Sequence, residues 1–301
     1  MQSKIVLNNE FAVIGTLKTL AQAYEQISVM RIQRVRGSVL TTRDFLTGLA
    51  DIYKDVKRSY RDEVERLQKH HKNAKITLSG LEKNGKTVSV LLSSNNKLYG
   101  DIVARVFNLF IQDIKKNPNT EIVIIGKVGK NMYNVSGVNR PATFFNLPDE
   151  NVKLTDLSSI FKYVVQYEKI LVYYGRFLNI ISQEPAVSEI SGEESLIDQP
   201  LQNTDEKADR TPYFFEPNLV KILGFFEDQV FASILKQVVD ESELSRLASR
   251  IKSMEDSLGS IEKQETILKK KYLRTLRLAE NNKQIQRISG VILWQKELGN
   301  Q

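Results

Sequence analysis

Cysteine is absent from the 301 residues, which excludes disulfides and thiolate metal sites. Histidine is nearly absent: His70 and His71 stand side by side between Lys69 and Lys72, and there are no others. Neighbouring side chains on a helix diverge, so the pair makes a poor metal site, and no Ser/His/Asp set can be assembled. Tryptophan occurs once, at Trp294. No run of about twenty apolar residues occurs, and Met1 to Glu10 lacks the apolar centre of an export leader. The sequence therefore predicts neither a membrane span nor a cleaved targeting segment. Proline is missing from most of the chain, since all seven prolines lie between Pro118 and Pro217. Two long proline-free arms remain, Met1 to Asn117 and Asn218 to Gln301, around a proline-bearing middle.

The second arm is the more regular. Leu244, Leu247, Ile251, Met254, Leu258 and Ile261 follow one another at intervals of three and four, the seam by which one helix buries itself against another. Glu265 interrupts this seam before Leu268 and Tyr272 resume it. A helix from Asn218 to Trp294 would be roughly 115 Å long at 1.5 Å per residue, with Gly224 and Gly259 as points of bending. In the first arm Leu17, Leu20, Tyr24 and Ile27 keep the same rhythm, as do Leu46, Leu49, Tyr53, Val56, Tyr60 and Leu67. Mutual burial of the two seams predicts an antiparallel coiled coil.

The middle alternates between strand and helix. Thr87–Leu92 and Glu121–Ile125 read as buried strands and Ile170–Tyr174 as a third, with helices over Tyr99–Lys116 and Leu154–Gln166. That order predicts a small parallel sheet covered by helices. Gly126-Lys127-Val128-Gly129-Lys130 follows the second strand but lacks the glycine spacing and the Lys-Ser/Thr ending of a phosphate loop. It reads as a glycine-bearing strand exit with exposed lysines. From Pro185 to Pro212 acidic residues crowd in, from Glu189 to Asp209, as in a flexible loop. The expected organisation is a helix over 1–72, an α/β domain over 73–185, an acidic loop over 186–212 and a second helix over 213–301.

The formal net charge of +7 suits an acidic partner surface. A membrane-surface helix would favour Trp and Phe on its apolar face. DNA binding through Arg31, Arg34, Arg36 and Arg43 lacks basic-region or helix-turn-helix spacing. No catalytic constellation emerges, and a non-catalytic chain is expected.

Five segments carry a resemblance. They are Ala23-Tyr24-Glu25 through Arg31-Ile32-Gln33-Arg34, Ser93-Ser94-Asn95-Asn96-Lys97-Leu98-Tyr99-Gly100, the Gly126–Lys130 segment, Arg176-Phe177 with Ser182-Gln183-Glu184-Pro185, and Phe215-Glu216-Pro217 followed by Ser249-Arg250-Ile251-Lys252-Ser253-Met254. In this order they resemble the gamma subunit of F-type ATP synthase, the central rotor stalk, over nearly the whole chain. The resemblance implies an α/β fold: a long coiled coil of the N- and C-terminal helices plus a small Rossmann-like parallel-sheet domain. It implies a non-catalytic rotor without cofactor or metal, coupling ion flow to ATP synthesis. Its partners would be the alpha and beta subunits, an epsilon-type subunit and the membrane c-ring, with no nucleic acid. Its place would be peripheral, on the cytoplasmic face of a bacterial membrane.

Rotor–stator contacts are implied at Arg31 and Arg34 and at Ser289-Gly290, where Val291, Ile292, Leu293 and Trp294 would slide against an apolar sleeve. The sequence departs from the family at Leu276-Arg277 and Glu280-Asn281-Asn282-Lys283, so the polar catch found there is not carried over. The tail to Gln301 is also longer. An alternative is a gamma-like rotor of a specialised F1-like motor that drives movement or transport. A further one is an enzyme binding nucleotide on the sheet domain.

Overall fold

Strands with buried side chains on both faces demand helices on both faces, and the middle of the chain supplies them. The computed structural model describes residues 4–59, 83–190 and 219–298. The elements run α1 (Lys4–Ser59), β1 (Thr87–Leu92), α2 (Ile102–Lys116), β2 (Glu121–Ile125), α3 (Lys127–Val135), β3 (Ala142–Phe145), α4 (Leu154–Val164), β4 (Lys169–Phe177), β5 (Gln183–Glu189) and α5 (Leu219–Leu298). Contacts group the chain into two compact units. One joins Met1–Ile27 to Ser253–Gln301, and the other is Ser28–Lys252.

In the larger unit the sheet order is β3-β2-β1-β4-β5. The first four strands are parallel, and β5 returns antiparallel on β4. The hairpin between β4 and β5 turns at Asn179, whose Oδ1 accepts from the amides of Ile181 and Ser182 at 2.9 and 2.7 Å. Pro185 sits in β5 at the sheet edge, where no ladder bond is lost.

Alternation along the strands sorts their side chains into two cores. Val88, Val90, Leu92, Val123, Ile125, Ile170 and Val172 face α4, the start of α5 and Leu46 and Leu49 of α1. Leu91, Ile122, Ile124 and Tyr173 face Ile102, Val106, Phe107, Phe110 and Ile114 of α2. A third cluster joins Ile32 and Val35 of α1 to Leu244, Leu247, Ala248 and Ile251 of α5.

Two elements differ from the sequence reading. β3 is a four-residue edge strand, half-buried and too short for its alternation to register. Lys127–Val135 forms a helix where only a strand exit was expected. Its lysines are exposed as anticipated. The strand that ends the sheet also continues to Glu189, past the expected limit at 185.

In the smaller unit, α1 and α5 pair antiparallel. Phe11 meets Tyr272 edge to face at 5.9 Å, and Lys18 reaches Glu262 and Glu265 at 3.5 and 3.6 Å. The α5 seam follows the expected register, with Met254 and Leu268 buried. The α1 seam does not. Leu17, Leu20 and Ile27 are 48%, 50% and 37% exposed, while Leu7 and Ala21 are buried and Phe11, Ile14 and Lys18 half-buried between them. The true seam lies one residue later, about 100° around the helix. It carries small and polar residues that a search for apolar periodicity passes over. Farther along α1, in the larger unit, Leu46 and Leu49 are buried as expected. Tyr60, Leu67, His70 and His71, the acidic stretch from residue 191 onward, and Phe215-Glu216-Pro217 lie outside the described residues.

Candidate partner-binding surface

An open α/β sheet offers ligands one preferred place, outside the carboxyl ends of the strands where the strand order reverses. Here β1 lies between β2 and β4, so that place is the end of β1 and β4. It is filled by the chain itself. Ser245 of α5 presses on Gly175 of β4, where an added Cβ would lie 2.5 Å from the serine oxygen. Arg246 donates to the carbonyl oxygens of Ser93 and Asp149, both at 3.1 Å. The remaining space among Leu92, Ser93, Asp149, Ser242 and Arg246 is about that of one water molecule.

The backbone of the loop after β1 is held by Asp149, while the buried Ser93 hydroxyl is left without a hydrogen-bond partner among the described residues. The Asp149 carboxylate accepts the successive backbone amides of Asn95 and Asn96 at 2.6 and 2.8 Å, the kind of nest that elsewhere holds an anion. Asn95 in turn donates to Leu147 O and accepts from the Lys127 amide.

The glycines of the Gly126–Lys130 segment have a steric cause. Gly126 has φ 102°, and a Cβ there would meet the Ser94 backbone at 2.8 Å. One at Gly129 would meet Ser93 Cβ at 2.7 Å. The Val128 amide donates to Ser94 O at 2.8 Å. Close approach of α3 to the loop after β1 explains both glycines.

The sequence-derived contact residues divide between the two units. Arg31 and Arg34 belong to the larger one. Arg31 forms an ion pair with Glu150 and so is engaged within the chain. Arg34 is exposed and has no partner among the described residues. Ser289 and Gly290 belong to the smaller unit, on a stretch of α5 where every side chain from Arg277 to Val291 is exposed. Among the described residues a Cβ at Gly290 would meet nothing within 4 Å. The side chains of Ile292, Leu293 and Trp294 lie outside the described set.

The smaller unit displays two surfaces of unlike chemistry. On α1, Val13, Leu17, Leu20 and Ile27 are exposed at heptad-like spacing, flanking half-buried Tyr24. Such a stripe lies beside the paired seam, and soluble surfaces rarely keep contiguous apolar patches. On α5, Lys269, Lys270, Lys271, Arg274, Arg277, Lys283 and Arg287 are exposed against the single acid Glu280 over the same span. Among them Leu278, Ile285, Ile288 and Val291 are 45–61% exposed. Sequence reasoning missed the α1 stripe because it assigned Leu17, Leu20, Tyr24 and Ile27 to the seam and passed over Val13. Two apolar or semi-polar heptads side by side were the available signal.

The comparisons with known proteins agree with this architecture. A family model described as ATP synthase matches residues 6–288. A protein named ATP synthase gamma chain from Mycoplasmopsis pulmonis is 22% identical over 254 residues, covering 83% of this chain and 84% of that one. One of the same name from a Roseiflexus species is 24% identical over 255 residues, covering 79% and 82%. Among solved structures, a chain of the central stalk and c-ring of the Tetrahymena thermophila mitochondrial ATP synthase aligns with a TM-score of 0.55 at 16% identity. The alignment covers 79% of this chain and 99% of that one. The chain belongs to the ATP synthase family, among its gamma chains.

Proposed function

We propose that this chain is the non-catalytic rotor of an F-type ATP synthase, turning within a ring of alpha and beta subunits and joined to an epsilon-type subunit and the membrane c-ring. The observation that carries this reading is the smaller unit: two antiparallel helices with an apolar stripe on α1 and a basic stretch on α5. A rotor works by differential contact. Catalytic subunits of one sequence take different open and closed populations only if the surface they touch differs from place to place. An apolar face and a basic face on one shaft provide that difference.

Arg34, Ser289 and Gly290 are assigned to the surfaces that meet the surrounding subunits. Arg31 contributes by holding α1 to Glu150, and its contact with a partner is secondary to that pair. A glycine within a helix costs about 1 kcal/mol relative to alanine. Gly290 has no neighbour among the described residues to account for it, which suits close approach by a partner. No helix among the described residues is long and apolar enough to cross a membrane. In this reading the chain is attached to the cytoplasmic face of the membrane through the other subunits. The names of the relatives favour a synthase over a motor that drives movement or transport.

Affinity capture of the tagged chain from its native cells tests this. P-loop ATPase alpha and beta subunits in molar excess over the chain are expected. Recovery of the chain alone, or with nucleic acid, would refute the assignment.

A further inference from the structure

We propose that Arg246 and Arg250 form the joint that makes the sheet body turn with α5, an inference that rests on the rotor reading above. Residues 242–250 of α5 are buried on every side. The apolar cluster with Ile32 and Val35 holds one flank. The opposite flank is built differently. Ser245 and Ser249 fit notches at Gly175 and Gly100, where an added Cβ at either glycine would overlap the serine oxygen.

Arg246 grips the carbonyl oxygens of Ser93 and Asp149, and Arg250 Nε donates to Leu98 O at 2.9 Å. The Arg250 guanidinium also lies 3.8 Å from the centroid of the Tyr99 ring, and that of Arg246 lies 5.7 Å from it. Two arginines one helical turn apart thus bind two separate loops, the one after β1 and the one before α4. Leu98 is held at φ 70°, a conformation rare for leucine, which the surrounding contacts must sustain.

The mode of contact points to load. Apolar packing is non-directional and permits sliding, whereas charge-assisted hydrogen bonds and side chains seated in glycine notches resist shear along and around the helix. Torque about α5 reaches the sheet body as that shear. Leu98-Tyr99-Gly100 and Ser249-Arg250 come from two of the segments that carry the family resemblance, and this joint is where they meet.

The cysteine-free sequence makes a direct test practical. Val135→Cys, at an 87% exposed position on α3, places one bead on the sheet body of the assembled complex, whose alpha and beta subunits are fixed to a surface. In the Arg246→Ala/Arg250→Ala variant, ATP-driven torque on the bead falls at least about threefold, while hydrolysis by the bead-free complex stays within about twofold. Arg250→Lys retains a donor for Leu98 O without the planar stack on Tyr99 and recovers an intermediate torque. Unchanged torque would overturn the proposal, as would an equal fall in torque and hydrolysis, which marks a role in assembly only. In the free chain the double variant speeds amide exchange from Ser93 to Gly100 about tenfold. Unchanged exchange would refute the joint whatever the chain's partners. Failure of the unmodified chain to assemble with ATPase subunits would instead refute the rotor reading and the torque role with it.

Discussion

Glu243 shows how one residue records the cost of filling the sheet crevice with a helix. It is 3% exposed on α5. Burial pushes its carboxyl above the ordinary 4.5, assisted by Asp240 and opposed by Arg246, the Asn151 amide and Lys236. A carboxyl raised in the folded state favours folding most when protonated, below its unfolded value. That advantage is lost as pH rises through the folded value. Glu243→Gln is therefore expected to raise the melting temperature at pH 7. The gain should shrink as pH falls toward 4.5, because the raised native carboxyl takes up its proton before the unfolded one does. Thermal melts of the two proteins from pH 4 to 8 read the difference directly, and parallel curves would contradict it. None of this was legible beforehand: Glu243 follows Ser242 in a charged run, and sequence places no sheet beside it. The Gly126–Lys130 segment was half legible. Its failure to match a phosphate loop was plain from spacing, whereas the contact with Ser93 and Ser94 that requires its glycines is tertiary.

Among elements, the paired helices teach the most about register. Glu265 interrupts an otherwise apolar seam on α5, and Lys18 occupies a seam position on α1. The two meet, so each polar residue that weakens its own stripe finds its partner in the other. Polar residues at seam positions select one alignment of two helices at some cost in stability. Lys18→Glu sets like charges against Glu262 and Glu265, and a melting temperature lower by roughly a few degrees is expected. Adding Glu265→Lys should restore part of the loss, and a double-mutant cycle measures that coupling. Strictly additive effects would show that the pair does not set the register. Strands β1, β2 and β4 were legible because buried parallel strands are nearly unbroken apolar runs. β3, with its half-buried ATFF, and α3, nine residues opening on a glycine, carry too little pattern to stand out.

For the molecule as a whole, the exposed stretch of α5 from Arg277 to Val291 separates stability from function. Side chains exposed among the described residues contribute little to folding, and surface changes usually stay within about 0.5 kcal/mol. A chain with Leu278, Ile285, Ile288 and Val291 all changed to Gln should melt within about 2 °C of the unchanged one. Its affinity for the alpha and beta subunits should nevertheless fall, as measured by reconstitution from purified subunits. A large loss of melting temperature would mean that this stretch has a partner inside the chain. Undiminished affinity would remove it from the partner surface.

The sequence by itself determined the kinds of element and the family. Proline placement, heptad spacing and apolar runs act locally, through backbone geometry and the burial of one face, and ordered motifs carry descent. Tertiary structure alone decided which stripe of α1 is buried, that Arg31 is spent on Glu150, and that α5 closes the sheet crevice with Arg246. Those outcomes depend on residues far apart in the chain competing for the same partner, and no local pattern encodes which of them wins.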